Sequence, residues 1–257
     1  MERVDPAGDR LCEENAGQGC GAQDEHIDSP ASKELRAANT ELIRLRYRKT
    51  GKAKYISHLD LMATLGRAFL RAGIALKYSE GFNPHPYISI ALPLPVGCES
   101  VCELADVRVT AVSDLKNIPE RLTSVLPAGL EAADAYIPDK KFKEIAWMSV
   151  IFKLFYDKGV TPEIINRIND VFSAGSIIIP KKTKRGTSDI DIAPYIKNIE
   201  ISGDKTVTMT AAVYAQNPSI SPSMLMAALE LGADAPVPDF YLFTRTEIYD
   251  INMYVFR

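Results

Sequence analysis

The chain has 257 residues, 46% hydrophobic and 25% charged, with a formal net charge of −3. That is enough chain for one large domain or two small ones of ordinary globular composition, and no apolar run approaches the roughly 20 residues that cross a bilayer. Met1 to Arg10 is charged and has no apolar signal core, which predicts a cytoplasmic protein with no membrane partner.

Charge is distributed unevenly. The first forty residues hold nine acids against four basic residues and almost no large apolar side chains, so residues 1–38 are predicted to be a disordered acidic tail. Between Glu41 and His85, nine basic residues face three acids, a local charge of +6. A basic face behind an acidic segment suits an anionic partner, although basic strands also lie idle in solvent.

From Leu42 to Arg48 apolar and basic residues alternate, the pattern of a half-buried strand. Thr50-Gly51-Lys52 reads as a turn and Tyr55-Ile56 as a short strand. A helix is predicted from Ser57 or His58 to about Ala72, carrying Leu61, Leu65, Ala68 and Phe69 on one face and ending at Gly73. Tyr87 to Leu92 and Cys102 to Thr110 read as strands, Asp114 to Leu126 as a helix, and Leu130 to Tyr136 as a strand. The same order then recurs. Trp147 to Tyr156 is a strand, and Thr161-Pro162 opens a helix through Phe172. Short strands at Ser176 to Ile179 and Ile190 to Ile192 flank a basic loop. Tyr195 to Ser202 and Thr206 to Tyr214 form a hairpin, Ser221-Pro222 opens a helix through Leu231, and Phe240 to Tyr249 closes as a strand. The expected fold is α+β, two tandem ferredoxin-like (βαββαβ) units over residues 41–138 and 144–257.

Four cysteines, at 12, 20, 98 and 102, make no disulfide framework at this length, and no spacing completes a zinc site. Reduced thiols are the plain reading; Cys12 and Cys20 could be the remnant of a metal-binding tail, but two ligands cannot hold a cluster. No metal and no cofactor is expected.

Tyr78-Ser79-Glu80-Gly81-Phe82-Asn83-Pro84-His85-Pro86 packs two aromatics, two prolines and a histidine into a segment that fits neither helix interior nor central strand. Tyr78, Phe82 and Tyr87 have the chemistry to stack on bases while Arg44, Arg46, Arg67 and Lys77 meet phosphates, with Asn83 beside them. The competing reading is structural, with Phe82 plugging the core and Asn83 capping a turn. His58, near a helix start with Asp60 close by, and His85, held between prolines, form a candidate acid/base pair if the protein is an enzyme; otherwise His58 packs against the sheet behind an N-cap Ser57. Lys181, Lys182, Lys184 and Arg185 precede Gly186 and either grip an RNA backbone or form a solvated loop. Asp189 and Asp191 are weak candidates for a cation, and Arg245-Thr246-Glu247 reads as structural.

Ser57-His58-Leu59-Asp60-Leu61-Met62, Arg67-Ala68-Phe69-Leu70-Arg71-Ala72-Gly73, the Tyr78–Pro86 segment and Ile88 to Gly97 together resemble the radical-SAM-linked protein family, whose members are encoded beside, or fused to the C-terminal end of, a radical SAM protein. Lys184-Arg185-Gly186 and Asp189 to Tyr195 extend the likeness. Glu80 stands where that family usually has glutamine, and Ala193 where arginine is common. The resemblance implies a radical SAM protein as partner rather than a reaction, and the chain has no cysteine triad at radical-SAM spacing. Three functions follow as expectations: an accessory RNA-binding protein partnering a radical SAM enzyme, in RNA modification; a metal-independent endoribonuclease resembling the tandem ferredoxin-like CRISPR repeat-processing proteins; or a protein-docking module without RNA.

Overall fold

A computed structural model describes residues 40–110, 114–183, 186–232 and 237–257. The expected acidic tail, Cys12 and Cys20, and the side chains of Lys182, Lys184 and Arg185 lie outside the described residues.

The first half runs β1 (Thr40–Lys49), α1 (His58–Arg71), β2 (Ile88–Ile90), β3 (Glu99–Thr110), α2 (Ile118–Thr123) and β4 (Leu130–Tyr136). The second runs β5 (Ile145–Phe155), α3 (Pro162–Ser173), β6 (Ile178–Thr183), β7 (Gly186–Asp191), β8 (Ile196–Gly203), β9 (Val207–Tyr214), α4 (Pro222–Leu231) and β10 (Phe240–Asp250). The protein is thus α+β, with few helices and one large, mostly antiparallel sheet of order β4-β1-β3-β10-β5-β9-β8, to which β2 adds beside β3. Every pairing is antiparallel except β3 with β10, which run parallel through Glu99–Thr244 and Ser100–Arg245. Leaving the β6–β7 pair aside, the strands of each half lie in the same sequence-related order, the last beside the first and the third beside the second.

Local signals explain most elements. Ser57 caps α1, accepting from the Asp60 N–H at 3.2 Å. Gly73, at φ 68°, ends it in a Schellman turn: its N–H reaches Leu70 O while Ile74 N–H reaches Phe69 O. Thr161 caps α3, and Pro162 occupies its first turn. Leu61, Leu65, Ala68 and Phe69 of α1 bury against Ile43, Leu45, Val107 and Val109; each large side chain so buried contributes roughly 1.5–3 kcal/mol. Ile168 of α3 and Leu225 and Leu229 of α4 pack likewise on Phe152, Met209, Val213 and Phe243.

Three local expectations change. Residues Gly51–Tyr55 form a 3-10 helix rather than leading into a strand. The basic loop after Ile179 is a two-stranded hairpin, β6 with β7, in register from Ile178–Asp191 to Thr183–Gly186. Helix α2 is short because Asp114 engages Lys116 N and the Asn117 amide, a local turn that delays the helix to Ile118.

The seam between the halves is polar. Arg245 on β10 pairs with Glu103 on β3, and both are buried. The same guanidinium donates to Leu92 O at 2.8 Å, and Leu92 holds a left-handed φ of 44°. Beside it lie buried Tyr47 and Lys49; burial pushes the Tyr47 phenol well up, and pushes the Lys49 ammonium down against the pull of Glu103.

Candidate nucleic-acid interface

The segment from Tyr78 to Pro86 closes on itself. Tyr78 bridges Pro86, Ser79 N–H donates to His85 O at 2.8 Å, and His85 N–H donates to the Ser79 hydroxyl at 2.9 Å. Gly81, at φ 117°, turns the tip. Phe82 stands fully exposed there, and Asn83, Pro84 and His85 are exposed beside it. Phe82 therefore does not plug the core. At the neck, a Cβ on Gly66 would stand 3.4 Å from Pro86, so the loop rests on α1 where that helix has no side chain.

Below the neck the chain re-enters the sheet. Lys77 N–H donates to Arg108 O, and Arg108 N–H donates to Tyr87 O. Leu76, Ile88 and Val109 pack under α1, so strand alternation sends Lys77, Tyr87 and Arg108 to the opposite face. There Tyr87 and Arg108 are exposed, and the Lys77 ammonium lies 5.8 Å from the Tyr87 ring centroid. Arg108 escaped the sequence reading because it sits in a strand rather than in a basic run; its pairing with Lys77 is visible only in the register.

The other expected contacts divide. Arg44 is fully buried. It pairs with Asp106 at 2.7 Å and lies between Phe142 and Phe256, 4.4 and 5.1 Å from their centroids. Its guanidinium has no surface to offer a phosphate, which corrects the expectation from alternation. Arg46 is held by Glu247 at 3.0 Å; burial alone would lower its guanidinium, but that hydrogen bond keeps it raised. Arg67 is exposed on α1, one residue after the Gly66 contact. Lys181 and the Lys182 backbone belong to the β6–β7 hairpin, in the second half of the chain; Lys184 and Arg185 lie outside the described residues.

His58 and His85 are both exposed, and neither imidazole makes a hydrogen bond or ion pair among the described residues. Asp60 does not orient His58: its carboxylate accepts from the Ser57 hydroxyl at 2.7 Å. The neck meets α1 at Gly66, two turns and more beyond His58, about 12 Å along the axis.

Asp191 is also committed, since its Oδ1 accepts from Ile177 N and Ala193 N, and those bonds hold its carboxyl below the usual range. Cys98 and Cys102 are buried, free thiols. No described helix is long and apolar enough to cross a membrane.

Two of the solved structures that this chain resembles show how faint the likeness is. A chain from the crystal structure of a Cbf5-Nop10-Gar1 complex aligns at a TM-score of 0.45 and 11% identity, over 80% of this chain and 48% of that one, so this chain spans about half of its neighbour's length. An unknown protein from Galdieria sulphuraria aligns at a TM-score of 0.24 and 12% identity, over 75% of this chain and 91% of that one. No curated protein matches the sequence. The family described as "Uncharacterized protein conserved in bacteria (DUF2344)" matches residues 42–222, well over half of the chain, and the protein belongs to that family.

Proposed function

We propose that this protein is an accessory RNA-binding protein that presents RNA to a radical SAM enzyme. One observation carries the RNA part: a fully exposed Phe82 at the tip of a hydrogen-bonded loop, with Tyr87, Lys77 and Arg108 on the sheet below. An aromatic fixed in solvent costs a protein apolar exposure and suits stacking on an unpaired base, while the two cations suit the adjoining phosphates. The radical SAM partner rests on the sequence resemblance of Ser57–Met62 and Tyr78–Pro86. The strand orders β4-β1-β3-β2 and β10-β5-β9-β8, with helices following the first and third strand of each set, support two ferredoxin-like units laid edge to edge. Two buried, reduced thiols suit the cytoplasm.

The endoribonuclease alternative draws no support from Asp60, whose carboxylate is engaged by the Ser57 hydroxyl.

The test is a titration of labelled tRNA and rRNA fragments at rising salt. Affinity is expected to fall with a log–log slope of about −0.7 per phosphate contact on single strands. No binding at low salt, or binding indifferent to salt, ends the reading. Co-purification with the radical SAM protein that survives nuclease and carries no nucleic acid favours docking instead.

A further inference from the structure

A cavity of about 560 Å³ opens where β5 begins, β9 ends and the chain turns after β10. Its floor is apolar: Ile145 and Ala146 are buried, and the Tyr214 ring is half-buried. Several of its polar groups are already committed. Lys140 pairs with Asp250, the Gln216 amide donates to Phe142 O at 3.1 Å, and Glu144 accepts from Lys141 N at 2.9 Å. Three are not. The side-chain amides of Asn217 and Asn252 and the Lys143 ammonium stand exposed at the rim without a hydrogen bond or ion pair among the described residues.

From this we infer that the cavity binds a nucleoside monophosphate, either free or as a unit of a single-stranded RNA. Each free amide offers one donor and one acceptor side by side, the pattern that the edge of a nucleobase presents in return. Tyr214 supplies a flat surface against which a base can stack. It is held in place by Trp147, edge-on at 5.2 Å, and by Tyr195 at 5.8 Å, so little is lost in ordering it. Lys143 is a mobile point charge suited to a phosphate. The volume lies within the range of small-molecule sites, about 300–1,000 Å³. The site is separate from the Phe82 loop, and neither depends on the other.

Trp147 makes the inference testable, because it is the one tryptophan of the chain. It is 5% exposed, its ring lies beneath the Lys197 ammonium at 4.0 Å, and its indole N–H has no hydrogen-bond partner among the described residues. A base against Tyr214 changes the surroundings of that indole. Tryptophan fluorescence of the full chain should therefore be titrated with AMP, CMP, GMP and UMP, with ribose 5-phosphate, and with a short single-stranded RNA.

A saturable change is expected with at least one nucleotide and not with ribose 5-phosphate. Asn217→Ala and Lys143→Ala should each weaken it by about tenfold, the loss of one good polar contact, with unchanged circular dichroism. A response to mononucleotides but not RNA assigns the site to a free nucleotide; a response to RNA alone assigns it to a unit of the polymer. No response to any of them, an equal response to ribose 5-phosphate, or wild-type binding by both variants overturns the inference. Salt-sensitive RNA binding with a silent Trp147 overturns it while leaving the loop reading intact.

Discussion

Arg245 and Glu103 form a buried ion pair across the junction of β10 and β3, where the sheet has its parallel pairing. Two strands joined by only two registered residue pairs are thereby tied by a charge-assisted contact that the Leu92 carbonyl and the Ser100 hydroxyl complete. Together with Arg46–Glu247 and the seating of Arg44 between Phe142 and Phe256, the pair joins the two halves.

Removing one partner leaves the other charge in a place water cannot reach. Glu103→Ala is expected to destabilise the protein by about 3–5 kcal/mol, read as a lowered urea midpoint at constant slope. Replacing both residues with apolar ones of similar volume should recover much of that loss. Equal losses in the single and double variants would show that packing, rather than the orphaned charge, sets the cost.

Phe82 touches no core cluster, so stability and binding separate cleanly at this position. Phe82→Ala should weaken single-stranded RNA binding by about 1–3 kcal/mol while the melting temperature stays within error. A variant that binds as wild type would remove the loop from the interface.

Asp250 governs part of the acid response. The hydrogen bond from Lys140, with the N–H groups of Tyr254 and Asn252, holds its carboxyl below the ordinary 3.8. The folded state therefore prefers the ionised form. That stabilisation is complete above the ordinary value and disappears as pH falls below it, through the lowered folded value. Asp250→Asn, which keeps an acceptor oxygen, should flatten the loss of stability below about pH 4 relative to wild type. Parallel denaturation curves over that range would count against the assignment.

Of the two described thiols, Cys102 is the less able to react. Burial pushes it up to about 11, and Cys98 is raised by the same cause. At pH 8 both stay protonated and shielded, so an alkylating reagent should leave the peptide holding them unlabelled in the native protein. Denaturant should expose both to labelling, as mass spectrometry would read. Fast native labelling would mean that the segment opens readily.

Elements with a local rhythm were legible in the sequence: Leu130–Tyr136 is a strand over the span its alternation predicts, and α1 ends at Gly73 because a glycine can take φ 68°. The loop at Tyr78–Pro86 was equally visible, since prolines and glycine exclude regular structure by themselves. The side chains around it were not. Alternation along β1 predicts that Arg44 faces solvent, but Phe142 and Phe256, remote in sequence, close over it. Nothing near Arg108 marks it as the partner of Lys77, and the β3–β10 seam joins residues 145 apart. Register and lateral joining are decided by such distant contacts, which leave no periodic trace.

The place of β10 has a consequence for how the chain is made. It is the last strand in the sequence, yet it lies inside the sheet, between β3 and β5. During synthesis β5, and the Glu99–Ser100 end of β3 that β2 leaves uncovered, wait unpaired until residues 240–250 leave the ribosome. The family match ends at residue 222, before β10 begins. A fragment cut at that limit would carry a long open border along β5 and a short one at the start of β3, and self-association is the natural way for it to close them.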